Sequence, residues 1–116
     1  MRTNFQMTEQ NITMVSGDTL SFNVIVRDND GNPVTVDEAS FKAKESRDAS
    51  TVAISKTLED GISQEDGVLT VRVAPADTSS LVGFFYYDMD ITVGDDRFTL
   101  LRGMLQIEYD VKGNLS

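Results

Sequence analysis

Alternation of apolar and polar residues is the dominant pattern along this chain. It is clearest in residues 19–28, where one face is apolar and the other is mainly polar: Leu20, Phe22, Val24 and Val26 against Ser21, Asn23 and Arg27. A repeat of two residues is typical of a β-strand with one buried face. Ile25 is the exception, since it adds an apolar side chain to the polar face. The segment therefore predicts a half-buried strand with one outward apolar residue.

Similar segments predict further strands over residues 11–15, 40–45, 51–58, 68–73, 84–93 and 97–109. The first is expected at an edge of the sheet, and the aromatic segment 84–93 at its centre. In 40–45 the alternation directs Lys42 and Lys44 to solvent, where their charges discourage pairing with other chains. The residues expected to face the core in the later segments are Val52, Ile54, Lys56, Leu69, Val71, Val73, Phe85, Tyr87, Met89, Ile91 and Val93.

Two irregular features are also predicted by the pattern. In 97–109 the phase set by Phe98 and Leu100 conflicts with the later phase of Leu101, Leu105 and Ile107, and a β-bulge near Gly103 would reconcile them. After the strand 68–73, a proline is followed by one helical turn over 77–81 and then by a glycine. We expect Asp77 to be the N-cap of that turn.

The fold class follows from the spacing of these strands. Glycine-containing turns separate them about every ten residues, and no segment of useful length has a helical period. A strand, a proline, a helical turn and an aromatic strand in series are typical of the corner where an immunoglobulin-like chain changes sheets. We therefore expect residues 1–116 to form a single all-β domain, an immunoglobulin-like antiparallel β-sandwich of seven to eight strands. The tail 111–116 is expected to fray.

Charge limits the classes of partner. Ten basic and nineteen acidic residues give a formal net charge of -9, which repels phosphate backbones and anionic lipid surfaces. No segment approaches the roughly 20 consecutive apolar residues of a membrane span, and the N-terminus lacks the apolar region of a signal peptide. Nucleic acid and membrane are therefore not expected as partners.

Composition also limits the chemistry. Without His or Cys, the usual nucleophilic triads and thiolate metal sites are excluded. Asp88 and Asp90 share a strand face, so a carboxylate-pair enzyme is an alternative, but a solvated strand face is the favoured interpretation. Acidic pairs beside glycines suggest either calcium ligands or hairpin turns, and turn chemistry is favoured. We expect no enzymatic activity, cofactor or metal.

Three apolar residues fall on faces that the alternation gives to water, namely Ile25, Phe84 and Tyr86. Outward apolar residues often mark contact surfaces, so these are the candidate partner contacts. The alternative is that the N-terminal segment, with Phe5 and Met7, folds back over them within one molecule.

The serial order of motifs resembles a known family. The motifs are Q-x-T-x-x-N-I-T-x-x-x-G-D-T-L-x-F over 6–22, V-x-D-x-D-G-N-P over 26–33, K-T-L-x-D-G-I over 56–62, R-V-A-P-x-D-T over 72–78, Y-Y-D-M over 86–89 and L-L-x-G-x-L over 100–105. Together they resemble the immunoglobulin-like N-terminal domain of bacteriophage baseplate upper proteins and related small phage tail or virion structural proteins.

This resemblance implies a non-enzymatic structural role in a phage particle that is assembled in the host cytoplasm. The expected partners are other virion or tail proteins, or alternatively a second copy of the chain in a homo-oligomer. The shared positions are turns and core residues, so no ligand site is implied. The alternative function is a carbohydrate-binding or adhesive surface module of a bacterium, in which Phe84, Tyr86 or Tyr109 would stack on sugar rings.

Overall fold

A computed structural model describes residues 7–110 of the chain, and this part is almost entirely β. Nine strands and one short helix follow one another in this order: β1 Thr8–Glu9, β2 Ile12–Val15, β3 Leu20–Ile25, β4 Glu38–Lys44, β5 Ile54–Leu58, β6 Gly61–Glu65, β7 Val68–Val73, α1 Pro75–Thr78, β8 Gly83–Val93 and β9 Asp96–Glu108. No helix within residues 7–110 is long and apolar enough to cross a bilayer. The expectations for Phe5 and for the tail 111–116 concern residues outside this range.

The strands form one curled sheet in the order β1-β9-β8-β4-β5-β6-β7-β3, and β2 also pairs with β9. We call β4, β5, β8 and β9, with β1 and β2, the front half-sheet, and β3, β6 and β7 the back half-sheet. The curl stacks the two halves. Phe22 of β3 meets Phe41 of β4 edge to face, with ring centroids 5.8 Å apart. The pairings β3–β7, β4–β8 and β8–β9 are those of an immunoglobulin-like sandwich, so the predicted fold class is confirmed.

The sheet is mixed rather than antiparallel throughout. Both N-terminal strands run parallel to β9, and β5 runs parallel to β6. The β5–β6 connection is a tight turn in which Glu59 has a positive φ of 67°. The Thr57 N–H donates to the Asp60 carbonyl at 3.1 Å across it. This turn carries the chain from the front half-sheet to the back without reversing it. With the two-residue β1 included, residues 7–110 form nine strands, one more than the seven to eight expected.

The core lies between the two half-sheets and is made by the side chains that the alternation directs inward. Phe41, Ala43, Val71, Val73, Met89 and Leu105 are each 0% exposed. As predicted, β8 is central, between β4 and β9, and Phe85, Tyr87 and Ile91 are buried. In β3, Leu20, Phe22 and Val24 are partly buried against this core. The strand predicted over 51–58 begins only at Ile54, so Val52 lies outside it and is exposed rather than directed to the core as expected.

The predicted bulge in the last strand is present, but three residues earlier than Gly103. Met89 pairs with Leu101 and Asp90 with Thr99, so Leu100 is the extra residue of β9. Gly103 has a different role, because a Cβ atom there would lie 2.1 Å from the carbonyl oxygen of Gln10. The glycine that suggested a bulge instead permits close approach of the N-terminal segment.

The helical turn at the corner is present as α1, but Asp77 is not its N-cap. Pro75 occupies the first helical position, a position that suits proline, and this moves the cap back to Ala74. Asp77 is the third helical residue, and its carboxylate accepts the Ala74 N–H at 2.7 Å. The buried Thr78 then ties the β2–β3 turn to this corner. Its carbonyl accepts the Ser16 hydroxyl at 2.8 Å, and its Oγ1 accepts the Gly17 N–H at 2.9 Å.

Candidate binding surface

A shallow groove of about 380 Å³ lies on the outer face of the front half-sheet. Its cations are Lys42, Lys44, Arg47, Arg97 and Arg102, which are half of the ten Lys and Arg residues of the whole chain. Its anions are Glu9, Asp88 and Asp90. The groove is therefore formally positive on a protein whose net charge is -9. We refer to it as the cationic groove.

Strand register sets the order of charges across this groove. Lys42 of β4 pairs with Asp88 of β8, Asp88 pairs with Arg102 of β9, and Arg102 pairs with Glu9 of β1. Directly opposed side chains on one sheet face start about 5 Å apart. The result is a straight row of alternating charges across four strands, Lys42–Asp88–Arg102–Glu9. We call it the charged row.

No ion pair between described residues closes the charged row. Among residues 7–110, Lys56–Asp77 and Arg97–Asp90 are the only pairs of opposite charge within 4.0 Å of each other. Burial raises the pKa of Asp88, and the neighbouring Asp90 carboxylate raises it further, whereas Arg97, Arg102 and Lys42 oppose the rise. Asp88 is therefore influenced through space by Arg102 and Lys42, and none of the four charges of the row is in an ion pair with another described residue.

Asp90, in contrast, is committed to internal contacts. It is 8% exposed, and its carboxylate accepts hydrogen bonds from the Arg97 guanidinium and from the Thr99 hydroxyl, the latter at 3.0 Å. The bulge at Leu100 places Thr99 opposite Asp90. The carboxylate-pair enzyme would require a deep pocket around Asp88 and Asp90, and the structure places them on an open sheet face where only Asp88 is accessible.

The next row of the outer sheet face consists of Lys44, Tyr86 and Met104, which are paired in register, and Lys44 and Tyr86 line the groove. The Arg47 guanidinium carbon lies 5.1 Å from the centroid of the Tyr86 ring, a cation–π distance. Arg47 therefore covers part of the ring, and Tyr86 is partly buried. For the carbohydrate alternative, Phe84 at 58% and Tyr109 at 71% exposure are the accessible rings.

The three candidate partner contacts do not form one patch. Phe84 and Tyr86 share the outer face of β8, with Tyr86 in the groove and Phe84 one row beyond it. Ile25 is 64% exposed, but it lies on the outer face of β3 in the back half-sheet. Met7, which the fold-back alternative places over these three residues, is itself 43% exposed.

The cationic groove was not predicted from the sequence. The alternation predicts Lys42 and Lys44 as solvent-facing charges that discourage pairing with other chains, whereas β4 is already paired on both sides, with β5 and β8. A signal was present, because these lysines and Arg102 occupy outward positions of their strands. These positions belong to different strands, and only the order of the strands in the sheet shows that they are neighbours.

The acidic turn at Asp28 is explained by backbone contacts. Asp28 Oδ1 accepts the N–H groups of Asp30 and Asn32, each at 2.9 Å. The hydrogen bond from the Asn32 N–H is the main reason that the pKa of Asp28 lies below its usual value. Over residues 7–110, no three acidic side chains gather closely enough to hold a metal ion. The carboxylate of Asp28 therefore shapes its hairpin.

Comparison with protein-family models and with curated proteins found no match to this chain.

Proposed function

We propose that this chain is a non-enzymatic structural module of a bacteriophage particle, of the baseplate, tail or virion-accessory kind, that acts through protein–protein contacts at the cationic groove. The observation that carries the proposal is the collection of half of the chain's basic residues on one outer sheet face of an acidic protein. The phage context is supported by the serial order of motifs, which resembles that of baseplate domains.

The groove has the properties of a docking surface. Its side chains project mainly from paired strands rather than from mobile loops, so their spacing is fixed by backbone hydrogen bonds. The half-sheet behind them is supported by buried residues such as Phe41, Met89 and Leu105. Charges held in fixed positions on a rigid face provide orientation and specificity to a protein contact.

Two experiments test the proposal. Mass spectrometry of particles released by the strain whose genome encodes the chain is expected to detect it at stoichiometric levels. In the second, incorporation of a Lys42→Glu/Lys44→Glu variant is compared with that of Arg27→Glu/Arg72→Glu. The second variant changes the net charge equally but on exposed residues outside the groove.

Only the groove variant is expected to be lost from the particles, because it reverses charges at the docking surface. Absence of the wild-type chain from purified particles would refute the phage role. Equal incorporation of both variants would show that the groove is not the contact surface.

A further inference from the structure

We infer that the occupant of the cationic groove is a second copy of this chain, stacked face to face about a two-fold axis that runs parallel to the strands between β8 and β9. The inference rests on the proposed function, since it names the partner at the same surface. It is carried by the order of charges in the charged row.

That order is self-complementary. Across the four strands the signs run positive, negative, positive, negative, from Lys42 to Glu9. A two-fold axis parallel to the strands reverses the row in the second copy. Lys42 then faces the partner's Glu9, and Asp88 faces the partner's Arg102, so every charge of the row meets its opposite. Interfaces of this isologous kind use one patch on both subunits.

The same row excludes the other in-plane axis. A two-fold axis along the row would leave its order unchanged and place Lys42 against the partner's Lys42. Like charges in direct contact oppose association. The register of the sheet therefore selects one orientation of the second copy.

The row of Tyr86 and Met104 agrees with this orientation. Because the two residues are paired on β8 and β9, an axis between these strands brings Tyr86 against the partner's Met104, and Met104 against the partner's Tyr86. Contacts between a thioether and an aromatic ring are favourable. Two packed sheets are rotated by about 30° relative to each other. The Asp88–Arg102 pairs lie next to the axis and therefore stay aligned. The Lys42–Glu9 pairs lie further out, where the flexible Lys42 side chain spans the offset.

The observations favour a second copy over an acidic partner of another kind. The four charges of the row sum to zero, so an acidic surface would meet Asp88 and Glu9 as well as Lys42 and Arg102 and would gain no net attraction from the row.

The test uses two charge reversals and their mixture. Asp88→Lys and Arg102→Glu each place like charges across the axis, so each variant alone is expected to be monomeric, with a dissociation constant raised about 100-fold or more. When the two variants are mixed, a mixed pair joins opposite charges at both positions. We therefore expect dimers to form in the mixture but in neither variant alone.

Sedimentation velocity from micromolar to millimolar concentration is the measurement. Circular dichroism verifies that each variant is folded, and Arg27→Glu/Arg72→Glu is the control that stays dimeric. If a charge reversal prevents folding, Tyr86→Glu replaces it as a disruption at the second row.

A monomeric wild-type chain at millimolar concentration would overturn the inference. So would variants that remain dimeric alone, or a mixture that stays monomeric. Loss of the Lys42→Glu/Lys44→Glu variant from particles, combined with a monomeric wild type, would leave the proposed function intact and assign the groove to a different partner protein.

Discussion

The Tyr87 hydroxyl donates a hydrogen bond of 2.6 Å to the Gln10 carbonyl oxygen, 77 residues earlier in the chain. Gly103 lies opposite Tyr87 in β9, and its missing side chain provides the space in which this contact forms. The Gln10 N–H also donates to the Arg102 carbonyl at 2.9 Å. Asn11 adds a side-chain contact, since its Oδ1 accepts the Met104 N–H at 3.0 Å. These contacts join β1 and β2 to the last strand.

Gly103→Ala is expected to destabilise the protein by about 1–3 kcal/mol, as overpacking usually does. The added Cβ would lie 2.1 Å from the Gln10 oxygen, so the N-terminal segment must shift. Urea denaturation measures the loss, and amide hydrogen exchange is expected to quicken first in residues 8–15. Gly31→Ala is the control, because Gly31 has a positive φ but no atom near its Cβ position, so it reports backbone strain alone. Unchanged exchange in residues 8–15 would contradict the role given to Gly103.

Tyr87→Phe is expected to cost about 1 kcal/mol, since it removes a single hydrogen bond and leaves the ring packing in place. Burial raises the pKa of Tyr87 above its ordinary value of 10.0. The neutral phenol is therefore favoured in the folded state, and its contribution is complete below pH 10 and is lost as the pH rises above it. Urea denaturation between pH 8 and 11 is expected to show a steeper decline for the wild type than for Tyr87→Phe. Parallel profiles would contradict this account.

Lys56→Met is expected to reduce stability by about 1–2 kcal/mol at neutral pH, between the values for exposed and buried ion pairs. Lys56 Nζ lies 2.8 Å from Asp77 Oδ2, and both side chains are largely covered, at 15% and 27% exposure. Burial by itself raises the pKa of Asp77, but the Lys56 ammonium and the Ala74 N–H lower it below 3.8 overall.

A lowered folded-state pKa gives stability that is present above pH 3.8 and is lost as the pH falls through the folded value. The difference between wild type and Lys56→Met is therefore expected to shrink in acid. Lys42→Met, the same chemical change at an exposed position, is the control and should stay within about 0.5 kcal/mol of wild type at low protein concentration. A pH-independent cost for Lys56→Met would indicate lost packing rather than a lost ion pair.

Phe22→Ala is expected to cost about 3 kcal/mol or more, because the ring of Phe22 packs against Phe41 across the core. Phe84→Ala removes the same ring from a position that is 58% exposed, and a change within about 0.5 kcal/mol is expected. Thermal and chemical denaturation of the two variants provide a matched comparison. Similar losses would show that the faces of β3 and β8 have been assigned wrongly.

Local pattern was enough to predict much of the fold. Alternation identified the inward faces of β3, β7 and β8, and the sequence around Pro75 predicted the corner at α1. Features that depend on pairing between distant strands were missed. Nothing near Ile12 indicates that it runs parallel to the last strand, and nothing near Gly61 indicates that β5 and β6 belong to different half-sheets. Gly103 suggests a bulge but instead permits the close approach of the N-terminal segment. The sequence does not distinguish the two roles, because both favour glycine.

The candidate surface was predicted only in part, for the same reason. Outward positions such as Phe84 and Lys42 follow from the alternation within one strand. The charged row does not, because Glu9, Lys42, Asp88 and Arg102 become neighbours only through the order β1-β9-β8-β4. Interactions across strands are set by topology, which composition and spacing along the chain do not encode locally.

The parallel pairing of the N-terminal strands with β9 has a mechanical consequence. Thr8 lies beside Leu101, and Val15 beside Glu108, so the chain enters this ribbon at one end and leaves it at the other. A force that draws residues 7 and 110 apart slides these strands along each other. The load is then shared by all their hydrogen bonds at once, which must rupture together rather than one after another, and the ribbon resists tension along its length.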